Sequence, residues 1–254
     1  MNTLAIDSTS DILSVALETK NGVLHDEIDK VNSHSELLME CADGLCKSAG
    51  IKPFDLNLVA CMKGPGSFTG LRVGFSAAKG IALALGIPLI AVPTLDCLAY
   101  HRGTSSCGLG GKFPSSMKPG LVLPILDAKK GCFFAAFYRG GERLTDYFDE
   151  SPSGLVKIMS KTMASIDESV LLTGSGARLF CSRIEEPPPE NTNFIKNIIK
   201  NINLDSEFAC GRARELLKMV KNDKFNMVND IEGVPVYLRK SDAELNCKKD
   251  GENR

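Results

Sequence analysis

Gly64-Pro65-Gly66-Ser67-Phe68-Thr69-Gly70-Leu71-Arg72-Val73-Gly74-Phe75-Ser76-Ala77-Ala78-Lys79-Gly80-Ile81-Ala82-Leu83-Ala84-Leu85 is the stretch on which the fold turns. It opens as a glycine-rich tight loop behind an apolar strand, Leu58-Val59-Ala60-Cys61-Met62. The pattern predicts a helix over about 70–85, stopped by Gly86 and Pro88, and a further strand at 88–92. Strand, tight loop, helix and strand in this order specify an α/β unit. Two readings of the loop stand side by side. In one, the glycines make a sharp turn and Thr69 is the helix N-cap. In the other, the positive end of the helix receives an anion, assisted by Lys63 and Arg72. The Gly-Lys-Ser/Thr ending of a P-loop is missing.

Within this helix Arg72, Ser76 and Lys79 form one narrow polar stripe, and the remaining positions are apolar or small. A surface helix needs an apolar stripe only somewhat wider than ~100°, so this one needs cover on more than one side. Gly70, Gly74, Ala77 and Ala78 permit close approach of another helix, so the helix is either central in its own domain or also docks on a second chain, the favoured expectation.

Working outward, Leu4-Ala5-Ile6 reads as a short strand and Asp7-Ser8-Thr9-Ser10-Asp11 as a turn. Ser14-Val15-Ala16-Leu17 is the next strand, and Asn21-Gly22 signals a hairpin. Ser33-x-x-Glu36 is a capping box, followed by Leu37, Leu38, Cys41, Leu45 and Ala49 at helical spacing up to Gly50. Thr94 is placed to cap a short helix reaching about Tyr100. Residues 101–120 are rich in Gly, Ser, Lys and Pro and read as a loop between two lobes. A hairpin follows, with strands at 121–126 and 132–138 around Ala128-Lys129-Lys130-Gly131. Next come a strand at 142–148, a helix from Ser151-Pro152 to about Ser165, and a strand at Val170-Leu171-Leu172 that ends at Gly174-Ser175-Gly176. Pro187-Pro188-Pro189 is a rigid segment, residues 206–221 form a helix, and Val234-Pro235-Val236-Tyr237-Leu238-Arg239 is a short extended element.

Composition narrows the function. A length of 254 residues suits one large domain or two small ones. The hydrophobic share of 43% supports a core and excludes global disorder. With 30 Lys plus Arg against 31 Asp plus Glu, the net charge of -1 argues against a dedicated nucleic-acid binder. No stretch approaches the roughly 20 apolar residues of a membrane span. Asp7 also arrives too early for a signal peptide, so the expected location is the cytoplasm. The 9 cysteines include no Cys-x-x-Cys and read as reduced, mostly buried thiols. His25, His34 and His101 form no zinc motif, Gly-x-Ser-x-Gly is absent, and no metal or catalytic residue is assigned.

Asp7-Ser8-Thr9 is a candidate for phosphate chemistry, because turn amides and a hydroxyl suit anionic oxygens and a carboxylate suits hydrated magnesium. Ser8 keeps a phosphate further away than a glycine would. The alternative is a turn Asp that satisfies local amides. Asp127, at the end of a hairpin strand, is read as a turn cap.

Leu4-Ala5-Ile6-Asp7-Ser8-Thr9, His34, the 64–74 segment, Ile87-Pro88 and Pro235-Val236-Tyr237-Leu238-Arg239 together resemble the bacterial TsaB (YeaZ) family. The match covers nearly all of the first hundred residues, the Asp127 hairpin and the C-terminal Tyr-Leu-Arg element. Residues 103–120 and 161–203 match loosely. The resemblance implies an α/β, actin-like ATPase fold (sugar kinase/Hsp70/actin) with two lobes of mixed sheets flanked by helices. Residues 1–102 would form the first lobe, completed by the helix near 206–221. Residues 103–205 would form a smaller lobe, and 222–254 a C-terminal extension.

The resemblance further implies a non-catalytic scaffold subunit in the synthesis of N6-threonylcarbamoyladenosine (t6A) at position 37 of tRNA. Its partners would be the catalytic paralogue TsaD and the ATPase TsaE, with tRNA reached through the complex and a homodimer formed in isolation. It would have no cofactor of its own, with ATP/ADP and magnesium entering at the level of the complex. The paralogue's His-x-x-x-His metal pair falls on Thr94 and Leu98, neither a useful metal ligand. Leu37, Leu38, Cys41, Gly70, Leu71, Gly74, Ala78 and Leu85 are the expected partner interface. Asp7, Ser8, Thr9, Gly64, Gly66 and Ser67 are the expected vestigial phosphate or nucleotide site. Arg239, Lys240, Lys248 and Lys249 are an expected local basic patch. The alternatives are an independent actin-like ATP-dependent phosphotransferase and a metallopeptidase-like protein.

Overall fold

β1 (Thr3–Asp7) is buried along its whole length, as a central strand must be, and carries the first sheet. The computed structural model describes residues 1–29, 34–103, 120–163, 170–184, 202–204, 212–221 and 229–239. β1 pairs antiparallel with β2 (Ile12–Thr19), which turns through a hairpin into β3 (Gly22–Asp29). On its other side β1 runs parallel to β4 (Leu58–Gly64), which runs parallel to β5 (Leu89–Pro93). The order is β3-β2-β1-β4-β5.

The second sheet repeats this plan. β6 (Leu121–Asp127) is central and pairs antiparallel with β7 (Phe133–Ala135). A small ribbon, β8 (Tyr138–Arg139) and β9 (Glu142–Arg143), precedes β10 (Phe148–Glu150), which pairs antiparallel with β7. β6 runs parallel to β11 (Val170–Thr173), and β11 to β12 (Ile202–Leu204). With the β8–β9 ribbon set aside, the order β10-β7-β6-β11-β12 is third, second, first, fourth and fifth in chain order, as in the first sheet. This duplicated order, with helices on the sheet faces, is the actin-like ATPase fold.

Side-chain alternation sends Leu4 and Ile6 to one face of the first sheet and Ala5 to the other. The first face is covered by α1 (His34–Ser48) and α2 (Phe68–Leu85). On the second, Ala5, Ala16 and Ala60 are small enough for helices to lie close. There α3 (Thr94–Gly103) and α6 (Ala213–Lys221) pack, the latter through Leu216, Leu217 and Val220. In the second lobe α4 (Pro152–Met163) and α5 (Ala177–Ile184) cover Leu121, Leu123 and Ile125, with Phe133 edge-on to Phe180. α3 also joins the lobes, since Leu95, Leu98 and Ala99 pack with Val122, Leu126, Phe134 and Tyr138.

The expected partner interface needs correction. Leu38, Cys41, Gly70, Leu71, Gly74 and Ala78 are buried, and Leu37 and Leu85 pack half-buried against the core of the first lobe. They are the inward stripe of α1 and α2. The outward stripe of α2 carries Arg72, Ser76, Gly80, Leu83 and Ala84, with Leu83 61% exposed. α2 also has the length and apolarity of a membrane span, at a mean hydropathy of 1.2. Its inward stripe fills a protein core, and Arg72 and Lys79 interrupt the outer side.

Other local expectations shift as well. The N-cap of α2 is Ser67, whose Oγ accepts from Gly70 N, so the helix begins before Thr69. Thr94 is the first residue of α3 and makes no cap. The strand expected at 132–138 is interrupted, because Phe137 N donates to Thr145 Oγ1. The strand expected at 142–148 splits into β9 and β10, and α5 and β12 were not anticipated. The Ser33 cap, the triple proline, most of 101–120, the start of the 206–221 helix, and Lys240, Lys248 and Lys249 lie outside the described residues.

Candidate functional site

The turn after β1 and the loop before α2 are pressed together. Thr9 O accepts from Ser67 N at 2.8 Å, and Ser8 Oγ donates to Gly70 O at 2.7 Å. The glycines make this approach possible. A Cβ at Gly66 would lie 2.6 Å from Thr9 O, and one at Gly70 or Gly74 would overlap Ser8. The Gly64–Pro65 peptide is cis, and a Cβ at Gly64 would lie 2.6 Å from Val236 O.

Asp7 is 2% exposed, and both oxygens of its carboxylate accept hydrogen bonds. Oδ1 accepts from Thr9 N and Thr9 Oγ1, and Oδ2 accepts from Arg212 N at 3.1 Å, just ahead of α6. Burial raises its pKa against the opposing pull of these hydrogen bonds and the Arg212 charge. The residues expected to hold phosphate therefore do come together, but Ser8 and Thr9 bind the glycine loop. Lys63 and Arg72 have partners of their own beside the loop. Lys63 Nζ lies 3.8 Å from Asp230 Oδ1, and the Arg72 guanidinium stacks 4.0 Å from the Phe68 ring centre.

Between the lobes lies a cavity of about 740 Å³. Asp7, Thr9 and Gly66 reach it from the first lobe, Asp127, Lys129 and Phe134 from the second, and Thr94 and Leu98 from α3. Asp127 caps its turn, accepting from Lys129 N at 2.8 Å. Lys129 and Lys130 are both left-handed, a conformation that non-glycine residues adopt at a cost. Lys129 Nζ lies 3.3 Å from Asp127 Oδ2 and 3.8 Å from Asp11 Oδ2, spanning the lobes.

The extended element near the C-terminus forms one rim. Val236 N donates to Lys63 O, and Tyr237 stacks on Phe68 with ring centres 5.1 Å apart. Arg239 makes a two-pronged ion pair with Asp149, with Nε to Oδ2 at 2.8 Å, and its Nη1 donates to Ala128 O. It is thus committed internally and is not part of an outward basic patch.

A family model described as TsaD, tRNA N6-adenosine threonylcarbamoyltransferase, matches residues 28–247. The chain belongs to this family. It falls with the TsaB (YeaZ) members. It is 29% identical over 247 residues to the tRNA threonylcarbamoyladenosine biosynthesis protein TsaB of Bacillus subtilis (strain 168), covering 96% of each chain. The identity to TsaB of Escherichia coli (strain K12) is also 29%, over 69% of this chain and 72% of the relative. Among solved structures, YeaZ from Pseudomonas aeruginosa superposes with a TM-score of 0.67 at 21% identity, over 93% of this chain and 99% of that one. A second Pseudomonas aeruginosa structure, described as similar to peptidase YeaZ, reaches 0.69 at 20% identity, over 94% and 99%. These two show the shared fold.

Where the resemblance sets the transferase's histidines, this TsaB-type chain carries Thr94 and Leu98, residues that both line the cavity. Sequence reasoning missed the parts of the cleft contributed by α3, Arg212 and Lys129. Their roles depend on contacts across the lobes. The tandem positive-φ lysines before Gly131 carried no signal beyond an ordinary hairpin turn.

Proposed function

We propose that this chain is a non-catalytic scaffold subunit in t6A biosynthesis, pairing in the cytoplasm with the catalytic paralogue TsaD and helping to recruit TsaE and tRNA. The observation that carries the non-catalytic reading is the closed turn. The Asp7, Ser8 and Thr9 groups that would meet phosphate and magnesium already bond to Thr9, Arg212, Gly70 and Ser67. The relatives' names support the pathway.

The proposed docking surface is the outward face of α1 and α2, not the inward residues. Gly80 and Ala84 allow close helix approach, while Leu83 and Met39 (52% exposed) supply apolar surface. The partner that fits is another helix pair, from the paralogue or, in isolation, a second copy of this chain. The test is co-expression with TsaD, size exclusion and a tRNA modification assay. Gly80→Arg, at an open position, should leave a folded chain that no longer co-elutes with TsaD or supports modification. An intact, active complex from that variant would refute the surface. Steady ATP turnover by the isolated chain would refute the scaffold reading.

A further inference from the structure

Residues 229–239 run from one lobe to the other across the mouth of the interlobe cavity. The first lobe holds them at several points. On its edge strand β5, Leu89 N donates to Asn229 Oδ1 at 3.1 Å and Ala91 N to Asp230 Oδ2 at 2.9 Å. Asp230 also faces Lys63 Nζ at 3.8 Å. Further along, Val236 N donates to Lys63 O at 2.6 Å, and Tyr237 stacks on Phe68. Toward the second lobe, two attachments stand out among the described residues. Leu238 packs on the cluster that joins α3 to Val122, Leu126 and Phe134, and Arg239 reaches Asp149 and Ala128 O. Val236, Tyr237, Leu238 and Arg239 all line the cavity, so the crossing itself covers it.

Other contacts between the lobes differ in kind. At the inner end, α3 is buried against the second lobe, and Tyr138 and Tyr147 donate to Asp96. Apolar contact is non-directional, so α3 can rotate slightly without losing its cover. At the mouth, Lys129 Nζ lies 3.8 Å from Asp11 Oδ2, and both side chains are largely exposed. Such a pair contributes little in water. Arg239 and Asp149 are only partly exposed, and their two-pronged contact has a fixed geometry that does not survive separation.

We propose that residues 236–239 are a latch that keeps the cleft shut, with α3 as the hinge and the Arg239–Asp149 pair as the contact that opens. Because the first lobe holds the segment at more points, the latch parts on the second lobe and the segment stays with the first. Its release exposes the second-lobe wall of the cavity, Leu126 and Phe134. The inference does not depend on the t6A reading.

The test uses the full chain, which contains no Trp, with one introduced as a reporter. Phe134→Trp places it on the second-lobe wall, where the parent ring is 7% exposed, and Leu126→Trp serves should that variant misfold. With the latch intact, the indole should be shielded from acrylamide. Arg239→Ala should raise its quenching rate constant by about 3–10-fold, at temperatures where circular dichroism shows an intact fold. Asp149→Ala removes the same pair from the other side and should give a similar rise, with the double variant no higher than Arg239→Ala. Lys129→Ala, at the exposed pair, should change quenching by less than about 2-fold. Amide hydrogen exchange locates the seam, since the Val236 amide should stay protected in Arg239→Ala. The proposal is overturned by unchanged quenching in either folded pair variant, by additive effects of the two, by a larger rise from Lys129→Ala than from Arg239→Ala, or by loss of protection at Val236.

Discussion

Gly70→Ala and Gly80→Ala add the same methyl group to the same helix and should move stability in opposite directions. At Gly80 the new Cβ meets nothing within 4 Å, so only helix propensity acts. That favours alanine by about 0.5–1 kcal/mol. At Gly70 the Cβ overlaps the carbonyl oxygen of Ser8 and lies 3.1 Å from its carbonyl carbon. Both are backbone atoms, in a turn anchored on either side by Asp7 and by Thr9 O to Ser67 N. No rotamer change relieves the overlap, so α2 or the turn must move. Overpacking of this kind costs about 1–3 kcal/mol, and distortion of the Ser8 Oγ to Gly70 O bond adds about 0.5–1.5. The small propensity gain in a first helical turn does not offset these, so a net loss of roughly 2–3 kcal/mol is expected. Gly74→Ala is the informative intermediate. Its Cβ meets the Ser8 hydroxyl, a group that can swing, with Ser8 Cβ at 3.2 Å. Ser8→Ala should therefore rescue Gly74→Ala but not Gly70→Ala. Urea unfolding followed by circular dichroism reads the effect, with the Gly70→Ala midpoint lower by about 1 M at an unchanged slope. The close approach is refuted if Gly70→Ala lies within about 0.5 kcal/mol of the parent, or if Ser8→Ala fails to rescue Gly74→Ala.

Arg239→Ala removes the two-pronged pair with Asp149 and the bond to Ala128 O. It should cost about 1–3 kcal/mol and expose the C-terminal element to proteolysis, whereas unchanged protease resistance would contradict its role as a tie. Tyr138 and Tyr147 both donate to Asp96 Oδ1, and burial followed by the Asp96 charge raises both phenol pKa values. Because the folded pKa values lie above the ordinary phenol value, stability is full below about pH 10 and falls above it, as the unfolded phenols ionise. Absorbance at 295 nm should show these two tyrosines titrating only as the chain unfolds, and early titration would refute the arrangement. Burial likewise raises the thiols, with Cys41 pushed up to about 11 and Cys61 and Cys97 also raised. Iodoacetamide at pH 8 under native conditions should spare all three, and modification mapped to any of them by mass spectrometry would count against the packing.

Much of the fold was legible in local pattern. The apolar run at β1, the hairpin at Gly22, the helix stop at Gly86 in its left-handed conformation and the central strand β6 all follow from short-range chemistry. The second lobe was less legible. β8, β9 and β10 are two or three residues each, too short for a periodic signal, and a side-chain bond from Thr145 interrupts β7.

By itself the sequence determined that a strand, a glycine loop and an α2 helix follow in order, and that two stripes of α2 differ in polarity. Helical period shows which residues share a face, but not which face turns inward. The tertiary structure decided that Leu71, Gly74 and Ala78 fill the chain's own core while Gly80 and Leu83 look out. It also decided that the 64–70 glycines serve contact with Ser8 and Thr9, and that Arg212 closes on Asp7 from 205 residues away. The duplicated strand order and the interlobe cavity have the same origin. Each depends on groups far apart in the chain, and no local propensity records where such groups meet.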